Sequence, residues 1–97
     1  IKEITEKMHN FVLSKGWYGE ETKRPQTPKN LAISLVLEAS EVLELFQWQE
    51  NTLDQRALEE ELADVFLYLL QIASITHINL EEAVMKKLAV NIDRSWE

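Results

Sequence analysis

The chain has no cysteine, two glycines and two prolines in 97 residues, and ten basic side chains against seventeen acidic ones. Without cysteine there is neither a disulfide framework nor a thiolate zinc site. Helix breakers are scarce, and Gly16, Pro25 and Pro28 all fall between Ser14 and Lys29. They isolate one loop in sequence that is otherwise free to be helical. The longest apolar run, Val65 to Ile75, is interrupted by Gln71 and is far shorter than the roughly 20 residues a bilayer span requires. No membrane partner and a cytoplasmic location are therefore expected. A net charge of −7 opposes the phosphate backbone of a long nucleic acid, so that partner is excluded as well. Acidity does not exclude a small phosphorylated ligand, because bound divalent cations reverse the local field at a carboxylate site.

What is present is helical periodicity, in a chain whose 45% apolar content is ordinary for a globular domain. A first helix is expected over about 1–14, with Ile4, Met8, Phe11 and Val12 as its core stripe and Gly16 at its C′ position. Thr27 as N-cap and Pro28 at the first turn open a second helix that continues to about Gln49. Its Leu31, Leu35, Val42, Leu45 and Phe46 share one face, while Ile33, Val36, Leu37 and Leu43 cover others, which predicts a centrally buried helix. A capping box at Thr52 and Gln55 opens a third helix through Leu58, Leu62, Val65, Phe66, Leu69 and Ile72 to about Ile75. Asn79, with Glu82 three residues on, opens a fourth with Val84, Leu88 and Ile92 as its stripe. No strand alternation, internal repeat or low-complexity segment occurs. The fold class is all-α, a four-helix bundle with a central antiparallel helical hairpin, in one domain over 1–97. At this length a monomer buries only about 60 to 65% of its unfolded surface, so apolar residues on several faces predict completion of the bundle by self-association.

The hairpin carries the chemistry. Helix two holds Glu38 and Glu41, helix three Glu61 and Asp64, each pair spaced i, i+3 and so facing one way. A short turn near Asn51 and Thr52 makes the helices antiparallel and sets both pairs at similar height, roughly 15 to 20 Å from it at 1.5 Å per residue. The four acids are embedded among Leu37, Ala39, Val42, Leu62, Ala63 and Val65. At about 6 Å and an effective dielectric near 20, each like-charge contact costs about 3 kcal/mol, so protons or metal ions must relieve them. An all-oxygen donor set suits Mg²⁺, with Mn²⁺ the alternative, and both bridge readily to phosphates. A single Glu-x-x-Glu on a helix is ordinarily a solvated surface pair. Two height-matched pairs inside apolar helices are not.

These residues resemble the all-α nucleoside triphosphate pyrophosphohydrolases of the MazG kind, whose pattern is Glu-x-x-Glu followed one hairpin later by Glu-x-x-Asp. The similarity runs over almost the whole chain. It takes in Pro28-Lys29-Asn30-Leu31, Phe46-Gln47-Trp48, Glu60-Glu61-Leu62-Ala63-Asp64-Val65, and Lys87, Asn91 and Arg94 near the end. Trp17 and the Phe46-Gln47-Trp48 segment bring it nearest the short, dCTP pyrophosphatase-like branch, and the second domain of longer MazG proteins is not in the sequence. The resemblance implies Mg²⁺ held by Glu38, Glu41, Glu61 and Asp64. It implies water attack on the α-phosphorus of an NTP or dNTP, dCTP or modified dNTPs included, with pyrophosphate leaving, in nucleotide-pool house-cleaning. It also implies a homodimer, or a homotetramer built as a dimer of dimers. Sequence alone does not separate a general base from a ligand, and Glu38 is the expected base.

Lys87, Asn91 and Arg94 lie at i, i+4 and i+7 on the fourth helix, a polar stripe suited to phosphate oxygens, with Lys29 a weaker candidate. Trp17, Trp48 and Tyr68 are the candidate base-binding aromatics: Trp48 falls seven residues after Glu41, and Tyr68 four after Asp64. A tryptophan is as often a core or interface anchor; Tyr18 and Trp96 are read as structural. Glu6 and His9 have the spacing of one half of a di-iron carboxylate site, but Ser74 stands three residues before His77, so the second half is missing. His9 is then expected at the surface or core edge. The rival class is a non-catalytic helical interaction module, which has no need of the four acids. Within the enzymes, a phosphoribosyl-ATP hydrolase needs no pair of stacking tryptophans.

Overall fold

Three of the four helices begin on a side chain that accepts a hydrogen bond from an otherwise unpaired backbone N–H. The computed structural model describes residues 1–48, 50 and 54–94. Its helices are α1 (Lys2–Ser14), α2 (Pro28–Glu44), α3 (Gln55–Ile75) and α4 (Leu80–Asp93), and no strand occurs among the described residues. Thr27 Oγ1 accepts from the Asn30 N–H at 3.1 Å with Pro28 in the first turn, and Asn79 Oδ1 accepts from the Glu82 N–H at 3.1 Å.

Two boundaries differ from expectation. Asp54, not Thr52, caps α3: its Oδ1 accepts from the Ala57 N–H at 3.0 Å. Aspartate caps at least as well as threonine, so the nearer residue takes the role; Thr52 itself lies outside the described residues. α2 stops at Glu44 instead of running to Gln49. Leu45, Phe46 and Gln47 turn on in i to i+3 bonds, Phe46 N–H donating to the Leu43 carbonyl at 2.9 Å. A short tightened segment keeps nearly the same apolar spacing as a helix, so periodicity alone does not mark the change.

Helix ends are closed by left-handed residues. Gly16, at φ +72°, follows α1, and the Trp17 N–H returns to the Val12 carbonyl at 3.2 Å, the Schellman arrangement. This fixes where Trp17 leaves the helix. His77, at φ +59°, does the same after α3, with the Ile78 N–H on the Ala73 carbonyl at 2.8 Å. α4 then departs from the α3 direction by 104°.

α3 is the centre of the packing, with both α2 and α1 against it, α1 reaching it at Ser74 through His9. The covered apolar side chains are Met8 and Val12 of α1, Leu31 of α2, and Leu70 and Ala73 of α3. The expected core is larger than this. Ile4 and Phe11 of the α1 stripe are exposed, α2 is not centrally buried, and Val36 and Leu43 keep 66% and 72% of their surface open. Val84, Leu88 and Ile92 on α4 are exposed too. The physical reason is a shortage of elements: among the described residues α3 is the one helix that packs extensively on α2, and none packs extensively on α4. No single helix among the described residues is long and apolar enough to cross a membrane.

Candidate active site

The α2–α3 hairpin sets the acids at one height. Glu38 lies six residues before the end of α2 and Glu61 six residues after the start of α3, so in an antiparallel pair they meet. Carboxylate oxygens of Glu38, Glu61 and Asp64 lie within 4.8 Å of one another. Glu41 stands outside that group, at its exposed edge, yet near enough that its carboxyl raises the proton affinity of both Glu38 and Glu61. The expected four-acid convergence is therefore three acids with a fourth against them.

Burial, then contacts with the Glu61 and Glu41 carboxyls and the charges of Glu41 and Asp64, pushes the Glu38 carboxyl up to about 7. For Glu61 the hydrogen bond with Glu38 acts downward, but burial together with Glu41 and Asp64 outweighs it and leaves the group above the usual carboxylate range. Glu38 Oε2 and Glu61 Oε2 are closed off from solvent with no donor to either. The ion pairs of Glu3 with Lys7 and of Glu60 with Arg56 are on the surface and neutralise neither. Converging carboxylates with two donor-less buried oxygens fit a hard divalent cation. The triad can hold a metal ion.

Glu38 and Asp64 also line a cavity of about 490 Å³ between α1, the 15–27 loop, α2 and α3. Trp17 and Tyr68 are on its wall. The Trp17 ring packs edge-on to Phe11 with centroids 5.6 Å apart and carries the Arg24 guanidinium 5.0 Å from its centroid. Trp48 lies elsewhere, 89% exposed in the turn after α2. Neither it nor Lys29, Lys87, Asn91 or Arg94 lines this cavity.

Several lining residues carry no signal as a motif: Lys23, Arg24 and Gln26 in the loop before α2, and Gln71 on α3; Asn30, in the Pro28-Lys29-Asn30-Leu31 segment, also lines the cavity. Gln71 had a sequence mark of another kind, as the polar interruption of an apolar run. It belongs to a part-buried network. Its Nε2 donates to Gln26 Oε1 at 2.8 Å and to Tyr18 Oη at 3.1 Å; His9 Nδ1 lies 2.6 Å from Tyr18 Oη and His9 Nε2 2.7 Å from Ser74 Oγ. His9 thus stands at the core edge, as expected. Tyr18 has a polar role beyond packing; its phenol is held above its ordinary value by burial, with the Gln71 bond acting in the opposite direction.

The comparisons with known proteins agree with this geometry. A family model described as the MazG nucleotide pyrophosphohydrolase domain matches residues 26–95. dCTP pyrophosphatase 1 of Mus musculus is 40% identical over 103 residues, which is 97% of this chain and 58% of that protein. The Homo sapiens protein of the same name is 37% identical over 100 residues, 94% of this chain and 56% of its own length. The chain thus spans a little over half the length of these relatives. A crystal structure of a pyrophosphatase from Archaeoglobus fulgidus DSM 4304 superposes with a TM-score of 0.78 at 38% identity, covering 93% of this chain and 86% of that one. With the family model matched over most of its length and its acids converging on the helical hairpin, the chain belongs to the MazG nucleotide pyrophosphohydrolase domain family.

Proposed function

We propose that this chain, as one domain, hydrolyses a nucleoside or deoxynucleoside triphosphate to the monophosphate and pyrophosphate with Mg²⁺, Mn²⁺ serving in its place, and that dCTP and modified dNTPs head the list of substrates. One observation carries the reading: Glu38, Glu61 and Asp64 converge, two of their oxygens buried with no hydrogen-bond partner, beside a cavity lined by Glu38, Asp64, Trp17 and Tyr68. Charge chemistry and a base-sized aromatic surface therefore share one space. Glu38, Glu61 and Asp64, with Glu41 at their edge, are the residues to hold the metal, which supplies charge neutralisation for the phosphates and a lowered pKa for bound water. Glu38, which lines the cavity, is assigned to take the proton of the attacking water. Trp17 and Tyr68 hold the base end by stacking, which tolerates different bases.

The site is read as completed by a second copy, in a homodimer or a dimer of dimers. The apolar faces of α2 and α4 and the exposed Trp48 support this, since patches of this kind mark interfaces. Such a copy is the source we assign for Trp48 at the base and for Lys87, Asn91 and Arg94 at the phosphates. Sedimentation at micromolar concentration is expected to give a dimer or tetramer; a folded 11 kDa monomer there would refute the assignment.

A thermal-shift experiment across pH tests the site itself. The folded Glu38 carboxyl, at about 7 against an ordinary value of 4.5, holds a proton that the unfolded chain releases. Its contribution to stability is present below about pH 4.5 and is lost as the pH rises through 7, so the apo protein weakens over that window. Mg²⁺ with a non-hydrolysable dNTP analogue is expected to raise Tm, and to do so more at pH 8 than at pH 5, because protons compete for the same oxygens. A Tm unmoved by both additions at either pH defeats the proposal.

A further inference from the structure

We propose that Gln71 selects the base: its side-chain carbonyl is a fixed acceptor that favours a ring bearing an exocyclic amino group, as in cytosine, over the keto counterpart, as in uracil. The inference rests on the reading that a nucleoside triphosphate occupies the cavity, and it deepens that reading.

Position comes first. Asp64, Tyr68 and Gln71 follow at i, i+4 and i+7 on α3 and all line the cavity, so they form one stripe. Asp64 and Gln71 are separated by about 10 Å along the helix axis, a nucleoside's length. With the reacting phosphate at Asp64 and the ring beside Tyr68, the far edge of the base falls at Gln71.

The orientation of Gln71 is fixed by a chain of hydrogen bonds that begins at a group able only to accept. The Arg24 backbone carbonyl takes a hydrogen bond from Gln26 Nε2 at 2.7 Å. Gln26 Oε1 must then face Gln71, and it accepts from Gln71 Nε2 at 2.8 Å. The second hydrogen of that nitrogen goes to Tyr18 Oη at 3.1 Å. Tyr18 therefore donates its own proton to His9 Nδ1 at 2.6 Å, and the His9 Nε2–H donates to Ser74 Oγ at 2.7 Å. Flipping the Gln71 amide would set its oxygen against Gln26 Oε1 and break the sequence at its second link. Both amide hydrogens are committed, and among the described residues nothing donates to Gln71 Oε1. A glutamine only 4% exposed, with its nitrogen engaged and its oxygen without a donor, lines a cavity that has room for a ligand.

An acceptor that no protein donor fills, on a residue that lines the cavity, discriminates by what it is offered. The amino group at C4 of cytosine supplies the missing donor. The carbonyl at C4 of uracil sets oxygen against oxygen and leaves both unpaired. Adenine and hypoxanthine differ in the same way at C6.

The test is kcat/KM for the matched pairs dCTP against dUTP and dATP against dITP with the Mg²⁺-loaded protein. The wild type is expected to favour the amino member of whichever pair it accepts by roughly 10-fold to 100-fold. Gln71→Met, close in volume, should bring that ratio near one. Gln26→Met, which frees the Gln71 amide to flip, should reduce it part way although Gln26 acts only as a positioning residue. Equal rates within the pairs in the wild type, or a keto preference, would overturn the proposal, as would a folded Gln71→Met protein that keeps the wild-type ratio. Should Gln71→Met fail to fold by circular dichroism, the wild-type ratio and Gln26→Met decide. Turnover without discrimination defeats this inference alone; no turnover of any nucleotide defeats the pyrophosphohydrolase reading with it.

Discussion

Asp64→Asn is expected to retain the helical fold and to lower kcat by at least about 100-fold, more than the 10-fold to 100-fold typical of losing a group that only supports a metal ligand. The substitution keeps the side-chain volume but removes one of three charges whose oxygens lie within 4.8 Å. The apo protein should be no less stable, and somewhat more so, because Asp64 raises the proton affinity of both Glu38 and Glu61 by its charge alone. Relief of like-charge repulsion and loss of catalysis then move in opposite directions, a combination that general destabilisation does not produce. Glu60→Gln is the control. Glu60 is adjacent to Glu61 but pairs with Arg56 on the surface at 3.7 Å, so its loss should leave activity near wild type. Full pyrophosphate release by Asp64→Asn at saturating Mg²⁺ would remove the residue from the metal set.

Trp17→Ala should act at the other end of the substrate. Stacking on a base is worth about 1 to 3 kcal/mol, which corresponds to a KM raised roughly 5-fold to 150-fold. Ground state and transition state lose the contact equally, so kcat at saturation should change little. The Arg24 guanidinium, now 5.0 Å from the ring centroid, and the edge-on Phe11 lose their partner as well. A small drop in Tm is therefore expected alongside the KM effect. If Tm falls and KM in the surviving active fraction does not change, Trp17 is an anchor for the loop, and Tyr68 becomes the principal stacking candidate.

Much of this arrangement is legible before the fold is known, because it is encoded locally. Thr27, Asn79 and Gly16 mark helix ends through bonds that span three to five residues, and the spacing of Glu38, Glu41, Glu61 and Asp64 follows from helical geometry and one antiparallel turn. The remainder is encoded non-locally. The network joining His9, Tyr18, Gln26, Gln71 and Ser74 links positions up to 65 residues apart, and no periodicity relates them. Gln71 interrupts an apolar run, yet only the packing of α1 and the loop against α3 gives that interruption a purpose. The burial of α2 is overestimated for a related reason. An apolar face shows that a helix has something to cover, whereas coverage depends on which other elements reach it, and α4 turns away at His77. For the same reason Lys87 and Asn91 on α4, and Arg94, which follows its last residue in an extended conformation instead of continuing the stripe, do not line the cavity. The cap at Asp54 was available locally, but the capping-box spacing from Thr52 to Gln55 pointed two residues too early.

The central claim is that water attacks the α-phosphorus of a nucleoside triphosphate at the Glu38, Glu61 and Asp64 cluster, and product analysis in ¹⁸O-labelled water addresses it directly. With dCTP and Mg²⁺, nucleoside monophosphate and pyrophosphate should appear in equal amounts with the label in the monophosphate alone, and Asp64→Asn should suppress both products together. Label in the pyrophosphate, release of inorganic phosphate with a nucleoside diphosphate, or product formation that does not depend on Asp64 would contradict it.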